Sequence, residues 1–261
     1  MLPNLTIPSI KIIGPLKIHP FGAFVAVALL LGYWLVMSRA KKTGLDVQVA
    51  ADASLWAVSI GFVISHLFWA ILYNHHLIRE NPFLLIMVWK GISSYGGFFG
   101  GTFGGWIYLR RKGIRPLPYL EAMLFGFVPA WAVARLGCTT AFDHPGSKTD
   151  FFLGMADGSG IVRHNLGLYE AMWTIVIVVI LYALREYRPF RAFHVALVFL
   201  LYAPVRFFFD SLRIDDRTYL GFTPGQYFSV IVTGIGIYLL VKGIRTQNAE
   251  RRTQDAGDKQ G

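Results

Sequence analysis

Cysteine is nearly missing from this chain. Cys138 is the only one among 261 residues, which excludes an internal disulfide framework. Charge is scarce as well: charged side chains make up 15% of the sequence, against about 25% in an ordinary soluble domain. Two long stretches hold none at all, "PFGAFVAVALLLGYWLVMS" over 20–38 and "TPGQYFSVIVTGIGIYLLV" over 223–241. A third, "LYEAMWTIVIVVILYAL" over 168–184, holds one Glu. Crossing a bilayer as a helix takes about 20 mostly apolar residues, so these runs specify an integral membrane protein. Nucleotide and metal motifs are also lacking. His75 and His76 are adjacent, a poor ligand spacing, and neither cofactor nor metal is expected. The first apolar run lacks the basic region and small-residue cleavage site of a secretory signal. In their place "IPSIKIIGPLKIHP" carries turn signals around Gly14 and Pro15 and reads as a short hairpin. "RLGC" at 135–138 superficially resembles a lipid-attachment sequence, but it follows several spans.

Acidic residues number 15 against 25 Lys and Arg, a formal charge of +10. Such an excess would suit nucleic acid in a soluble protein. Here its placement follows topology. The apolar pattern predicts seven spans, roughly 19–38, 52–73, 83–109, 118–139, 167–185, 192–211 and 223–242. Arg39, Lys41 and Lys42 follow the first; Arg110, Arg111, Lys112 and Arg115 follow the third; Arg185, Arg188 and Arg191 follow the fifth. Lys242, Arg245, Arg251, Arg252 and Lys259 follow the last. The alternate loops are poorer: Arg79, then Lys148 and Arg163, then Arg213 and Arg217 offset by Asp210, Asp215 and Asp216. Basic loops mark the cytoplasmic side. The expected fold is an all-α integral membrane protein of seven transmembrane helices, N-terminus outside and C-terminus cytoplasmic. Its parts are an extracytoplasmic hairpin (1–18), a helical domain (19–242) with an extracytoplasmic head loop at 141–166, and a polar tail (243–261) lacking order at its end. Nucleic acid is not an expected partner.

"SSYGGFFGGTFGG" at 93–105 packs six glycines into this apolar setting. Gly96, Gly100 and Gly104 lie four apart, as do Gly97, Gly101 and Gly105. On a helix this makes a face without side chains. Such a face lets helix backbones approach closely in a membrane, or leaves room for a lipid chain. The helix has space only from about Tyr95 onward, so 83–92 is expected to lie at, or dip into, the outer interface.

Arg135 and Arg206 fall late in the fourth and sixth spans, at similar depth towards the outer side. Intramembrane cations are costly and mark function by default. Pairing with Glu170 or Asp210 is one account of them; a lipid phosphate, matched by the planar guanidinium fork, is the other. Asp210 lies one helical turn after Arg206 and is placed to orient it. His66 lies mid-span and is expected to find a partner on a neighbouring helix. His164 reads as a loop hydrogen-bonder.

These motifs, in this order, resemble the prolipoprotein diacylglyceryl transferases of bacterial inner membranes over nearly the whole chain. The similarity rests on "IGPLKIHPFG", "VWKGISSYGGFFGG", "ARLGCTTAFDHPG", "RHNLGLYEA", "YAPVRFFFDSLRIDD" and "TPGQYFSV". The resemblance implies transfer of a diacylglyceryl group from phosphatidylglycerol to the cysteine thiol of a prolipoprotein signal peptide, releasing glycerol phosphate. It implies a multi-pass enzyme of the inner membrane, acting as a monomer among membrane lipids. Arg135 and Arg206 would grip the phosphate, Tyr202 would match a family tyrosine near the headgroup, and Asp210 would hold Arg206. Gly137 falls in the signature, and Gly154 would match its trailing glycine. Glu170 closes the "LYE" motif. Gly96 and Gly97 match the paired glycines that follow the family's histidine.

The chain departs from the pattern at three positions: Tyr95 stands where the family has His, Cys138 where it has Asn, and Phe21 where it usually has Tyr. Histidine suits proton removal from a thiol of pKa about 8.5, whereas tyrosine, at about 10, is a weak base. Two other readings therefore stand beside the transferase: a non-catalytic phospholipid-binding relative, and a small-solute transporter, since broken helices and buried charges mark those too.

Overall fold

The computed structural model describes residues 2–13, 16–214 and 218–258. The turn residues Gly14 and Pro15, the loop residues Asp215, Asp216 and Arg217, and Lys259 lie outside the described residues. Eight helices are described: α1 (Pro20–Lys42), α2 (Val47–Phe68), α3 (His75–Glu80), α4 (Ser94–Arg111), α5 (Pro116–Ala141), α6 (Leu166–Ala183), α7 (Phe193–Ser211) and α8 (Pro224–Asp258). Six segments among the described residues are long and apolar enough to cross a membrane: Pro20–Lys42, Val47–Tyr73, Pro116–Ala141, Leu166–Ala183, Phe193–Ser211 and Pro224–Arg252. The chain is a multi-pass membrane protein. The glycine-rich α4 falls outside that set, because glycine dilutes its apolar character. The polar tail runs on as helix in α8 to Asp258, and its end, from Lys259, lies outside the described residues.

Local chemistry sets the helix ends. Pro20 and Pro116 occupy first-turn positions, where their missing N–H costs nothing. Asp46 caps α2 by accepting from Gln48 and Val49. "TPGQ" forms a capping box at the start of α8: the Thr223 N–H donates to Gln226 Oε1 at 3.0 Å, and the Gln226 N–H returns to Thr223 Oγ1 at 3.1 Å.

Small elements lie outside the helices. Strands β1 (Ile10–Ile13) and β2 (Leu16–Ile18) pair antiparallel, as the hairpin reading expects. The head loop is not plain coil: β3 (Pro145–Lys148), β4 (Met155–Ala156) and β5 (Val162–Asn165) form an antiparallel sheet in the order β3-β5-β4. Asn165 ties this sheet to the helices. Its Nδ2 donates to the Thr139 carbonyl at the end of α5, while its Oδ1 caps α6 through the Leu168 N–H.

The helices pack in pairs: α1 on α5, α2 on α4, α7 on α8, and α5 on α6. One apolar core gathers Val36, Ala40, Ala50, Ala53, Leu109 and Tyr119. A second joins Phe125 and Val128 to Ile177, Leu181 and Val198. The segment before α4 is broken, as its sequence suggests. A 3-10 turn at Pro82–Ile86 precedes irregular chain to Ser93, and Phe83, Ile86 and Trp89 are exposed there. Residues of α2 hold this segment. His66 sits between the carbonyls of Gly91 (2.9 Å) and Leu84 (2.8 Å), so its partner is this irregular segment and not a neighbouring helix. Ser65 Oγ donates to the Ser93 carbonyl at 2.6 Å.

The two glycine rows of α4 do different things. A Cβ at Gly96 would lie 2.8 Å from Ser65 Cα, at Gly100 3.0 Å from Gly61 Cα, and at Gly104 2.7 Å from the Trp56 carbonyl oxygen. That row is the close-packed seam with α2. Gly97 and Gly101 are looser, at 3.7 Å from Ser65 Oγ and 3.5 Å from the Ala57 carbonyl. Gly104→Ala is therefore expected to destabilise the detergent-solubilised protein by about 1–3 kcal/mol through overpacking, and Gly101→Ala to leave thermal unfolding nearly unchanged. Equal melting temperatures for both variants would refute the assignment of the seam.

Candidate functional site

Helices α5 and α7 end, and α6 begins, beneath the head-loop sheet. Four charged side chains meet there almost out of contact with solvent: Arg135 (2% exposed), Glu170 (2%), Arg206 (4%) and Asp210 (1%). Glu170 is the bridge. Its Oε2 lies 2.8 Å from Arg135 and its Oε1 2.8 Å from Arg206. Arg206 also meets Asp210 Oδ1 at 2.8 Å, one helical turn on. The pairing reading of the two arginines thus holds for both, and Glu170 is a member of the cluster rather than a solvated helix-end carboxylate. The pairing is incomplete: Arg135 and Arg206 each keep a buried Nε–H with no hydrogen-bond partner among the described residues.

Aromatic residues wall the cluster. Tyr202 donates to Glu170 Oε2 at 3.2 Å and accepts from Trp131 Nε1 at 3.2 Å. The Trp131 ring lies 4.3 Å from the Arg135 guanidinium carbon, within cation–π range. Tyr95 is 3% exposed and its ring lies 6.0 Å from the guanidinium carbon of Arg206. Its hydroxyl turns to α8 and meets Ser229 Oγ at 2.5 Å. Cys138, one turn after Arg135, receives a long contact of 3.7 Å from it. The start of α8 is fastened to the cluster by Thr223 Oγ1, which donates to Asp210 Oδ2. A side chain at Gly225 would strike that same oxygen.

The glycines named from the sequence are placed differently. Gly137 abuts Phe24, with Phe21 Cδ2 also within 3.4 Å of a Cβ built there. Gly96 lies in the seam with α2, and Gly97 sits on its looser side. Gly154 is buried in the head loop against Val162, Phe151 and Thr149, where none of these contacts reaches the arginines. Sequence reasoning missed Trp131, Thr223, Ser229, Arg213 and His144. "TPGQ" held a signal for Thr223. The others become visible only when helices distant in sequence are brought together.

Beside the cluster, Cys138, Asp143 and His144 place their ligand-type atoms within 4.8 Å of one another. Two of those atoms already face guanidinium donors: Cys138 that of Arg135, and His144 Nδ1 that of Arg213 at 2.8 Å. Arg213 also lies 3.5 Å from Asp210, linking the head loop to α7. His164, by contrast, bonds only locally to the Tyr169 hydroxyl at 2.9 Å.

Two predictions follow from this geometry. Glu170→Gln leaves two buried cations short of a counter-charge and is expected to lower stability by about 3–5 kcal/mol; a melting temperature unchanged from wild type would refute the bridge. His144 is held well below its ordinary pKa, first by burial and then by Arg213, Arg135 and Arg206. The unfolded chain takes up a proton near pH 6.5 that the folded chain refuses, so this contribution is present above that pH and is lost as pH falls. His144→Gln should flatten the acid-side decline in melting temperature, and an unaltered pH profile would count against it.

The family model described as Prolipoprotein diacylglyceryl transferase matches residues 8–242. A protein of Staphylococcus haemolyticus named phosphatidylglycerol--prolipoprotein diacylglyceryl transferase is 28% identical over 252 residues, 91% of this chain and 88% of its own length. A Bacillus velezensis protein of the same name is 24% identical over 256 residues, covering 93% and 94%. One from Staphylococcus aureus (strain Newman) is 26% identical over 243 residues, covering 88% and 86%. With a match spanning nearly all its helices, this chain belongs to the prolipoprotein diacylglyceryl transferase family.

Proposed function

We propose that the chain transfers a diacylglyceryl group from phosphatidylglycerol to the cysteine thiol of a prolipoprotein signal peptide. The observation that supports it most directly is the pair of buried arginines, each with an unpaired Nε–H, at the ends of α5 and α7. The chemistry explains why such a pair is needed. The sulfur attacks the glyceryl carbon that carries the phosphate. A C–S bond forms, the C–O bond to phosphate breaks, and its electron pair leaves with the phosphate oxygen. The phosphodiester monoanion becomes a phosphomonoester dianion, so one negative charge develops beside Arg135 and Arg206. Fixed cations in a water-poor site stabilise that charge as it forms. Glu170 and Asp210 hold the guanidinium groups in place beforehand, and the phosphate approaches through the free Nε–H groups. Tyr202 borders the headgroup, and Cys138 stands at the rim beside Arg135.

The thiol proton leaves to water, and the electrostatic field of the arginines, more than transfer to Tyr95, favours the ionised sulfur. The tyrosine hydroxyl is engaged with Ser229, and its ring flanks Arg206. A nearby cationic pair lowers a thiol's pKa and raises its thiolate fraction. The orientation that suits this reading places the N-terminus and head loop outside and the C-terminus in the cytoplasm. In it α4 is the seventh span, about 27 Å long, reached through the interfacial turn at 82–86. The protein then acts as a monomer in the bacterial inner membrane. A non-catalytic phospholipid-binding role is the second reading, and the observation that favours it is Tyr95 itself, whose hydroxyl is committed away from the arginines.

Reconstitution with phosphatidylglycerol and a lipobox peptide separates the two. Wild type should yield thioether-linked lipid, and Arg135→Ala should lose at least about a hundredfold, as for removal of a charge-stabilising donor. Tyr95→His should preserve or raise the rate. Tyr95→Phe should cost less than about tenfold, since the ring remains beside Arg206 and the general-base contribution that a true base would forfeit is about a hundredfold or more. No product from wild type would leave the lipid-binding reading in its place.

A further inference from the structure

At the opposite end of the helices lies a cavity of about 310 Å³, within the range of ligand pockets, about 300–1,000 Å³. Four arginines line it, Arg39, Arg115, Arg188 and Arg191, against a single carboxylate, Glu121. They come from three separate parts of the chain: the last turn of α1, the residue before α5, and the connection between α6 and α7. Basic loops are ordinary at this side of a membrane protein, but topology alone requires no convergence on one cavity. Nor does it require burial. Arg39 is nevertheless 9% exposed, with its guanidinium carbon 4.2 Å from the centre of the Phe125 ring. It donates to the Arg185 carbonyl at 3.0 Å, and its nearest carboxylate is the largely exposed Glu186 at 3.7 Å. Arg115, Arg188 and Arg191 pair with no carboxylate among the described residues. Two helix N-termini open on the same space. Neither Arg115 before α5 nor Ala192 before α7 supplies a side-chain cap. Helix α5 opens on Pro116 and Pro118, which have no N–H, so the free N–H groups that add positive potential there are mainly those of α7.

We propose that this cavity is a second anion site, which takes a phosphate group. Guanidinium forks and the uncapped start of α7 are complementary to phosphate oxygens. The place of the cavity at the helix ends suits the headgroup of an anionic phospholipid, and in the orientation proposed above that lipid belongs to the cytoplasmic leaflet. Basic pockets between helices on that side are a general means of retaining such headgroups. The apolar body of Phe125 lines the floor, and Arg39 stacks on it, which fixes one fork before the ligand arrives. This site shares no residue with the cluster around Glu170, so its occupancy and the transfer reaction are separable.

The test uses full-length protein in nonionic detergent, with native mass spectrometry counting retained lipids. The probes are micelles doped with phosphatidylglycerol, micelles doped with phosphatidylcholine, and added inorganic phosphate. Wild type should retain one more phosphatidylglycerol than Arg115→Gln/Arg188→Gln, whose apparent affinity at this site should fall about tenfold or more with the loss of charge-assisted hydrogen bonds. Arg191→Gln, a single change at a residue exposed like Arg115 and Arg188, should fall in the same direction and guards against a folding failure of the double variant. Resistance to inorganic phosphate identifies a lipid headgroup; competition by it identifies a free phosphate. Equal retention in wild type and both variants overturns the site, as does equal retention of phosphatidylcholine. Peptide lipidation by the same variants is read separately, so a silent transferase would not be mistaken for an empty cavity.

Discussion

The Glu170 carboxylate lies between two arginines that could not otherwise share a membrane interior. Arg135 and Arg206 come from different helices, and each carries a charge whose burial is prohibitive without a partner. A single bidentate bridge neutralises part of both and fixes the ends of α5, α6 and α7 at one point. Asp210 completes the balance and passes the constraint to α8 through Thr223. The head-loop sheet is tied to the same point through Asn165 and Arg213. Five elements are thus held by charge, in a medium where apolar contact between helices drives little association.

The other constraint is steric. Tyr95 reaches the cluster because α4 begins late and lies close to α2. The seam of Gly96, Gly100 and Gly104 permits that approach, while Ser65 and His66 secure the chain that enters it. The glycine face that raised the choice between packing and lipid space packs on α2, closely along one row and more loosely along the other. One row is filled by α2 backbone, and the other is left looser. A seam and a looser row offset by one residue can share one helix because successive glycines at 96 and 97 point about 100° apart.

Much of this was legible in the sequence because membranes simplify the pattern. Apolar runs near the length of the bilayer placed five of the helices to within about five residues and the start of the last to within one, while α8 runs on to Asp258. The exceptions have physical causes. The run at 83–109 contains both an interfacial turn and a helix, and glycine hides the latter from any measure of apolarity. The polar tail continues as helix to Asp258, and its last residues lie outside the described ones. At the site, Arg135, Arg206 and Asp210 were found because a charge within an apolar run is conspicuous. Glu170 was visible but ambiguous at the head of its helix, where a solvated carboxylate would look the same. Trp131 and Ser229 were not conspicuous at all, being ordinary residues of apolar helices whose significance is created by packing. Gly154 was placed by motif order alone, and in the head loop it packs against Val162, Phe151 and Thr149.

Tyr95 shows how one substitution redistributes work across a site. A histidine there could hold a proton near neutral pH, and a tyrosine cannot. The phenol is longer than an imidazole, and its hydroxyl finds Ser229 on α8 instead of a substrate proton. That contact links α4 to α8 beside Arg206. If transfer proceeds here, the thiol must ionise in the field of the arginines themselves. The surplus of that field is set by Glu170 and Asp210, which are already spending two negative charges on two cations. Arg213 is then the added positive charge nearest the cluster, brought to Asp210 at 3.5 Å and to His144 at 2.8 Å. Ionisation of the thiol and stabilisation of the leaving phosphate become one electrostatic problem, governed by the same few guanidinium groups.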